Sequence, residues 1–167
     1  MILSLSVRIA ELFQSKEEAS ISLQEVGKLA KAAGYEALCM RGSQVGVHSS
    51  PDEVRAARET LGGLGLDVSM VTGDFAIVYN NEEGPNALRN IGPYLDLAQI
   101  LDAPLLRVAL KRDEDIGWAR RAADEAGERG LKLAHQCHTL SLFETVNGIE
   151  ETLRRIDREN FGLIYEP

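Results

Sequence analysis

The stretch Leu-Lys-Leu-Ala-His-Gln-Cys-His at positions 131–138 decides how the chain is read. Its apolar first half suits a short buried strand, and its second half gathers side chains that bind metal or move protons. Gly130 stops the helical pattern before it, and a new helical pattern begins near Val146. Strand, polar tip, then helix is the layout in which α/β proteins place their chemistry, at the carboxyl ends of parallel strands. A second tip of this kind is Phe-Gly-Leu-Ile-Tyr at 161–165, followed by Glu166 and Pro167. The remaining chain reads as the scaffold that brings Gln136, His138 and Glu166 together.

Working outward, the same alternation recurs. Residues 2–7 form a candidate first strand and 14–20 a polar loop. Ser22 with Glu25 three positions on makes a capping box, and Val26, Leu29, Ala30 and Ala33 follow at helical spacing before Gly34. After a second strand at 37–40 comes a glycine-containing loop ending at His48. Ser50, Pro51 and Glu53 then open another capped helix. A third strand at 68–72 leads into a long loop, 73–85, where Asp74 reads as turn chemistry. The next helix carries Leu88, Ile91, Leu95 and Ala98, and Gly92-Pro93 is expected to kink or restart it. A fourth strand is predicted at 105–110 and an alanine-faced helix at 113–127. Asn147 with Glu150 is predicted to cap the helix before the last strand. Six strand–helix alternations in 167 residues predict a parallel sheet with crossover helices. Neither common nucleotide-binding glycine signature is present, which favours a (β/α) barrel of TIM type. Eight units take about 250 residues, so residues 1–167 are expected to form one barrel domain that is incomplete after its sixth strand.

Composition sets outer bounds. A net charge of −8 argues against a nucleic-acid partner. No stretch approaches the roughly 20 apolar residues of a membrane span. The two cysteines, Cys39 and Cys137, lack a paired motif and read as reduced thiols of a cytoplasmic protein.

Side-chain alternation sorts the tips. In the fifth strand Ala134, Gln136 and His138 share one face, and Leu133, His135 and Cys137 the other. Small residues below a polar tip suit a crowded interior, so Gln136 and Glu166 are predicted to face one cavity. His135 then faces the helices as a packed histidine. Arg107 and Lys111 of the fourth strand and Arg41 of the second are placed on the inner side, as substrate contacts or as ordinary charges of a barrel mouth. His48 suits a substrate contact and a turn equally, and Glu166 suits a site carboxylate or a solvated one. An acid, an amide, a histidine and several cations around one mouth fit a polyhydroxylated or phosphorylated substrate.

Leu133-Ala134-His135-Gln136-Cys137-His138 and Leu163-Ile164-Tyr165-Glu166-Pro167 carry a resemblance to the xylose-isomerase-like TIM-barrel superfamily. That is the sugar-phosphate isomerase/epimerase group, which also includes endonuclease IV and inosose dehydratase. The family shows Leu-Ala-x-Glu-x-His at its fifth strand and an acidic residue, a small spacer and His after its sixth. The resemblance implies one divalent metal, Mn, Mg, Co or Zn, with Gln136 and Glu166 as ligands, and a proton moved next to a carbonyl through an enediolate. Gln136 stands where the family has Glu. It can ligate a hard cation but cannot act as a base, which leaves His138, or Glu144 beyond it, as proton acceptor beside Glu166. The family's remaining ligands belong to seventh and eighth strands.

The resulting expectation is a metal-dependent isomerase or epimerase of a sugar, sugar phosphate or polyol. His138 and Glu166 are its catalytic residues, and Arg41, His48, Arg107 and Lys111 its substrate contacts. A homo-oligomer is expected. The alternatives are a lyase such as an inosose dehydratase, and a non-catalytic barrel portion that works by self-association, since its outer strands would expose hydrogen-bonding edges.

Overall fold

A computed structural model describes residues 2–165. The strands are β1 (Ser4–Ser6), β2 (Ala37–Arg41), β3 (Asp67–Thr72), β4 (Leu105–Val108), β5 (Lys132–Gln136) and β6 (Phe161–Ile164). They form one parallel sheet in the order β1-β2-β3-β4-β5-β6. The helices are α1 (Leu23–Ala32), α2 (Pro51–Gly63), α3 (Phe75–Tyr79), α4 (Asn86–Arg89), α5 (Gly92–Ile100), α6 (Asp115–Glu128) and α7 (Val146–Ile156). This is the α/β TIM-barrel type of fold with the barrel left open. Among the described strands β1 pairs only with β2, and β6 only with β5.

Local chemistry explains where the elements start. Both capping boxes form: Ser22 and Ser50 each accept from the backbone N–H three residues on, and Glu25 and Glu53 reach back. Pro51 occupies the first turn of α2, where its missing N–H has no intrahelical partner to lose. Gly92-Pro93 restarts the chain, so the helix predicted across 88–98 is two, α4 and α5.

Three expectations change. The long loop 73–85 contains α3, capped by the Asp74 carboxylate on the Ile77 N–H at 2.8 Å. Five residues are too few to show a periodic apolar face. The cap of α7 is Thr145, whose extended backbone lets its hydroxyl accept from Gly148 N–H at 3.1 Å; Asn147 already lies inside the helix. β4 stops at Val108 because the buried Asp115 carboxylate takes the N–H groups of Lys111 and Arg112, at 2.8 and 2.9 Å, and turns the chain.

The core lies between sheet and helices. Leu38, Met40, Val71, Leu106, Val108 and Leu133 point outward from the strands into it. Ala119, Ala122, Ala123 and Ala126 of α6 meet them with side chains small enough to bring that helix close to the sheet. Each large side chain here contributes about 1.5–3 kcal/mol by leaving water. The opposite, inner face carries Ser4, Ser6, Cys39, Arg41, Leu105, Arg107 and Gln136 around a hollow. Polarity is thus concentrated on the side that a barrel encloses. No helix among the described residues is long and apolar enough to cross a membrane.

Candidate functional site

At the carboxyl ends of the strands the inner hollow opens into a cleft of about 340 Å³. Arg41 ends β2 and Gln136 ends β5, so alternation turns both inward, and the Cys137 N–H bond to the Ile164 carbonyl at 3.1 Å carries the pairing past β5 so that His138 follows them into the cleft. Arg107 reaches the same cleft from β4, where its register partner on β5 is Ala134, a residue small enough to leave it room. The structure therefore brings together Arg41, Arg107, Gln136 and His138. Glu166 lies outside the described residues.

His48 and Lys111 line neither hollow. His48 stacks on Phe75 at 5.0 Å, held there because Val47 N–H donates to the Gly73 carbonyl and draws its loop towards α3. Lys111 lies in a separate polar cleft of about 280 Å³ with Glu82, Asn86 and Arg89. Beyond Val108 there is no strand to carry the alternation that placed Lys111 inside.

In their stead the segment after β1 supplies Arg8 and Lys16. Below them Glu11 binds Arg41, with Nε donating to Oε1 at 2.6 Å and Ser43 Oγ adding a bond to the same oxygen at 3.1 Å. These side chains are only 5% and 9% exposed, so the pair is a buried one. Burial, then the charges of Arg41 and Arg8, hold the Lys16 ammonium below its ordinary pKa; Glu11 opposes this. The sequence reading takes 14–20, with Lys16, as a polar loop and assigns Arg8 and Glu11 no role, although all three follow a strand tip, where such charges belong to a barrel mouth.

His138 Nδ1–H donates to the Thr139 carbonyl at 2.9 Å, which leaves the Nε2 lone pair available at the cleft. Ser141 Oγ donates to the His138 carbonyl at 2.7 Å and braces the turn. Glu144 accepts from Leu140 N–H at 3.1 Å and so serves that turn rather than the cleft.

His135 behaves differently. It is fully buried, its Nδ1–H donates to the Val108 carbonyl at 3.0 Å, and its ring packs on Phe143 at 4.8 Å. Burial pushes its pKa down to about 4, against the pull of that carbonyl, with the charges of Arg107, His138 and Lys111 adding to the depression. The unfolded chain takes up this proton first, near pH 6.5. His135 therefore costs no stability above about pH 6.5, and stability is lost as pH falls towards 4. Between pH 7.5 and 5 the loss from this residue is about 2 kcal/mol. Urea unfolding at both pH values should show His135→Phe flattening the profile by that amount; an unchanged profile would contradict the assignment.

No family model and no curated protein matches the sequence. Solved structures do match in fold. A xylose isomerase-like TIM barrel protein from Mycobacterium smegmatis in complex with magnesium aligns with a TM-score of 0.75 at 14% identity, over 97% of this chain and 63% of that one. The probable 3-DHS dehydratase AsbF involved in petrobactin synthesis, from Bacillus anthracis, gives 0.74 at 16%, over 99% and 62%. D-Psicose 3-epimerase in the presence of D-fructose gives 0.73 at 12%, over 99% and 63%. The fold is thus that of the xylose isomerase-like TIM barrels, and the chain spans less than two thirds of the length of each of these three proteins.

The magnesium in one of these proteins prompts a test of the donor set here. Among the described residues no three His, Cys, Asp or Glu side chains are grouped so as to hold a metal ion. The cleft offers the neutral oxygen of Gln136 and the Nε2 of His138 amid four cations, Arg8, Lys16, Arg41 and Arg107. A hard divalent ion needs several oxygen ligands, commonly charged ones. The described residues do not fit one.

Proposed function

We propose that this chain carries part of the active-site mouth of an isomerase or epimerase that moves a carbon-bound proton next to the carbonyl of a sugar or polyol. The observation that carries the reading is the convergence of Gln136, His138, Arg41 and Arg107 at the strand tips of a fold shared with a sugar epimerase. His138 Nε2 takes the proton from the carbon beside the carbonyl, and its Nδ1–H bond to Thr139 holds the ring in the tautomer this requires. Negative charge then develops on the enediolate oxygens. The Gln136 amide N–H and the guanidinium groups at the cleft donate to it, strengthening as charge grows. Transfer of the hydroxyl proton to the other enediolate oxygen, with return of the carbon-bound proton from His138 to the neighbouring carbon, completes isomerisation; epimerisation instead takes its proton from water on the face opposite His138, which gives its own proton to solvent.

The test is isotope uptake. Incubated in D₂O with a panel of ketoses, their phosphates and inososes, the protein should place one deuterium at the carbon next to the carbonyl, read by mass and NMR. The panel should be run with and without Mn²⁺ and Mg²⁺. Uptake from none of these substrates under either condition overturns the reading.

A further inference from the structure

We infer that the segment between β1 and α1 builds, with the tip of β2, a subsite for the oxyanion group of a small ligand, a phosphate or a carboxylate. The inference deepens the isomerase reading by naming the substrate class, but binding at the subsite does not depend on turnover.

The segment is folded, not loose. Leu12 N–H donates to the Glu18 carbonyl at 2.8 Å and Ser20 N–H to the Ala10 carbonyl at 2.7 Å, so it doubles back as a strap. Gln14 makes the turn with a positive φ of 64°. The strap is fastened to α3 through Tyr79, whose hydroxyl accepts from Lys16 N–H at 3.2 Å and whose ring lies 5.0 Å from the Lys16 ammonium. Lys16 is thereby fixed at the cleft with its ammonium held against one ring face, and it keeps N–H groups to donate. Arg8, in the 3-10 turn that leaves β1, lines the same cleft. Arg41 forms the floor, oriented by Glu11.

The electrostatics run against composition. The chain has a net charge of −8, yet four cations and no acidic side chain among the described residues line this cleft. Glu11 lies behind Arg41 and pairs with it, Arg107 is engaged as well, and the cations that meet an arriving ligand are Arg8 and Lys16. Gathering like charges costs free energy that folding alone does not require, and such local conflicts belong at sites that bind. Burial first, and then the charges of Arg41 and Arg8, hold the Lys16 ammonium below its ordinary pKa, so the gathered cations add to a penalty that burial begins. An arriving oxyanion relieves it, accepting charge-assisted hydrogen bonds from ammonium and guanidinium together.

The experiment is calorimetric titration of the whole chain with inorganic phosphate, with gluconate as the carboxylate probe, and with a neutral ketose. Lys16→Ala, Lys16→Met and Arg8→Ala are compared with Lys132→Ala, an exposed lysine at the amino end of β5. Phosphate or gluconate should bind the parent protein. Each strap variant should weaken that binding about tenfold or more, roughly the value of one lost charge-assisted bond. Lys132→Ala should leave it unchanged, and affinity should fall as salt is raised. Phosphate binding without gluconate binding, or the reverse, selects the oxyanion and supports the subsite. Absence of binding by both, or equal weakening by Lys132→Ala, overturns it. The two proposals fail separately: deuterium uptake from neutral ketoses alone, with oxyanion binding indifferent to Lys16, removes the subsite and keeps the isomerase. Strap-dependent oxyanion binding without deuterium uptake does the opposite.

Discussion

Glu11→Ala is expected to lower the unfolding free energy by about 3–5 kcal/mol. The magnitude comes from what is left behind. Arg41 is buried, and the alanine variant strips its guanidinium of the carboxylate that holds it at 2.6 Å, beside Lys16 and Arg107. An uncompensated buried charge costs far more than the ion pair contributes, because the desolvation already incurred is no longer offset. The exposed pairs Arg154–Glu151 and Arg55–Asp52 provide the contrast. Solvent screening leaves each of those contributing little. Urea unfolding followed by the single tryptophan, Trp118, would measure the difference. Removing both partners, as Glu11→Leu with Arg41→Met, should recover most of the loss, since an apolar pair carries no orphaned charge. A Glu11→Ala cost near that of a surface pair would show that water reaches Arg41.

The second large effect is on chemistry. His138→Ala should slow deuterium uptake by about 10²–10⁴-fold, the range for removing a positioned general base. Stability should change by less than about 0.5 kcal/mol, because the side chain is exposed and its one hydrogen bond is to its own neighbour. A stable variant with an intact fold and lost exchange would separate a catalytic histidine from a structural one. Exchange within a few-fold of the parent would move the base to another residue. His135→Phe serves as the counterpart: it alters the pH profile of stability through a buried ring.

Much of this architecture was legible because period-two and period-3.6 patterns act locally. Ser22 with Glu25 and Ser50 with Glu53 announced their helices, and inward alternation placed Arg41, Arg107, Gln136 and His138 at one mouth. Loops obey no such period. Lys111 was assigned from strand alternation and His48 from its glycine-containing loop, yet the grip of Asp115 on two N–H groups and a backbone bond from Val47 to Gly73 set their positions. The strap was illegible for the same reason. Its place at the cleft depends on Tyr79, a residue more than sixty positions from Lys16 in a helix too short to announce itself.

Strand order in the sheet follows order along the chain without exception. Every ladder therefore joins segments separated by a single crossover, and none requires the two ends of the sequence to find each other. The entropy of closing each such loop is small and nearly the same at every step. Parallel pairing is intrinsically slow, because each crossover must close before its ladder is rewarded, and here that delay is of similar size at each step. Each newly made strand can dock on the one before it, so assembly of the sheet can keep pace with synthesis from the amino terminus.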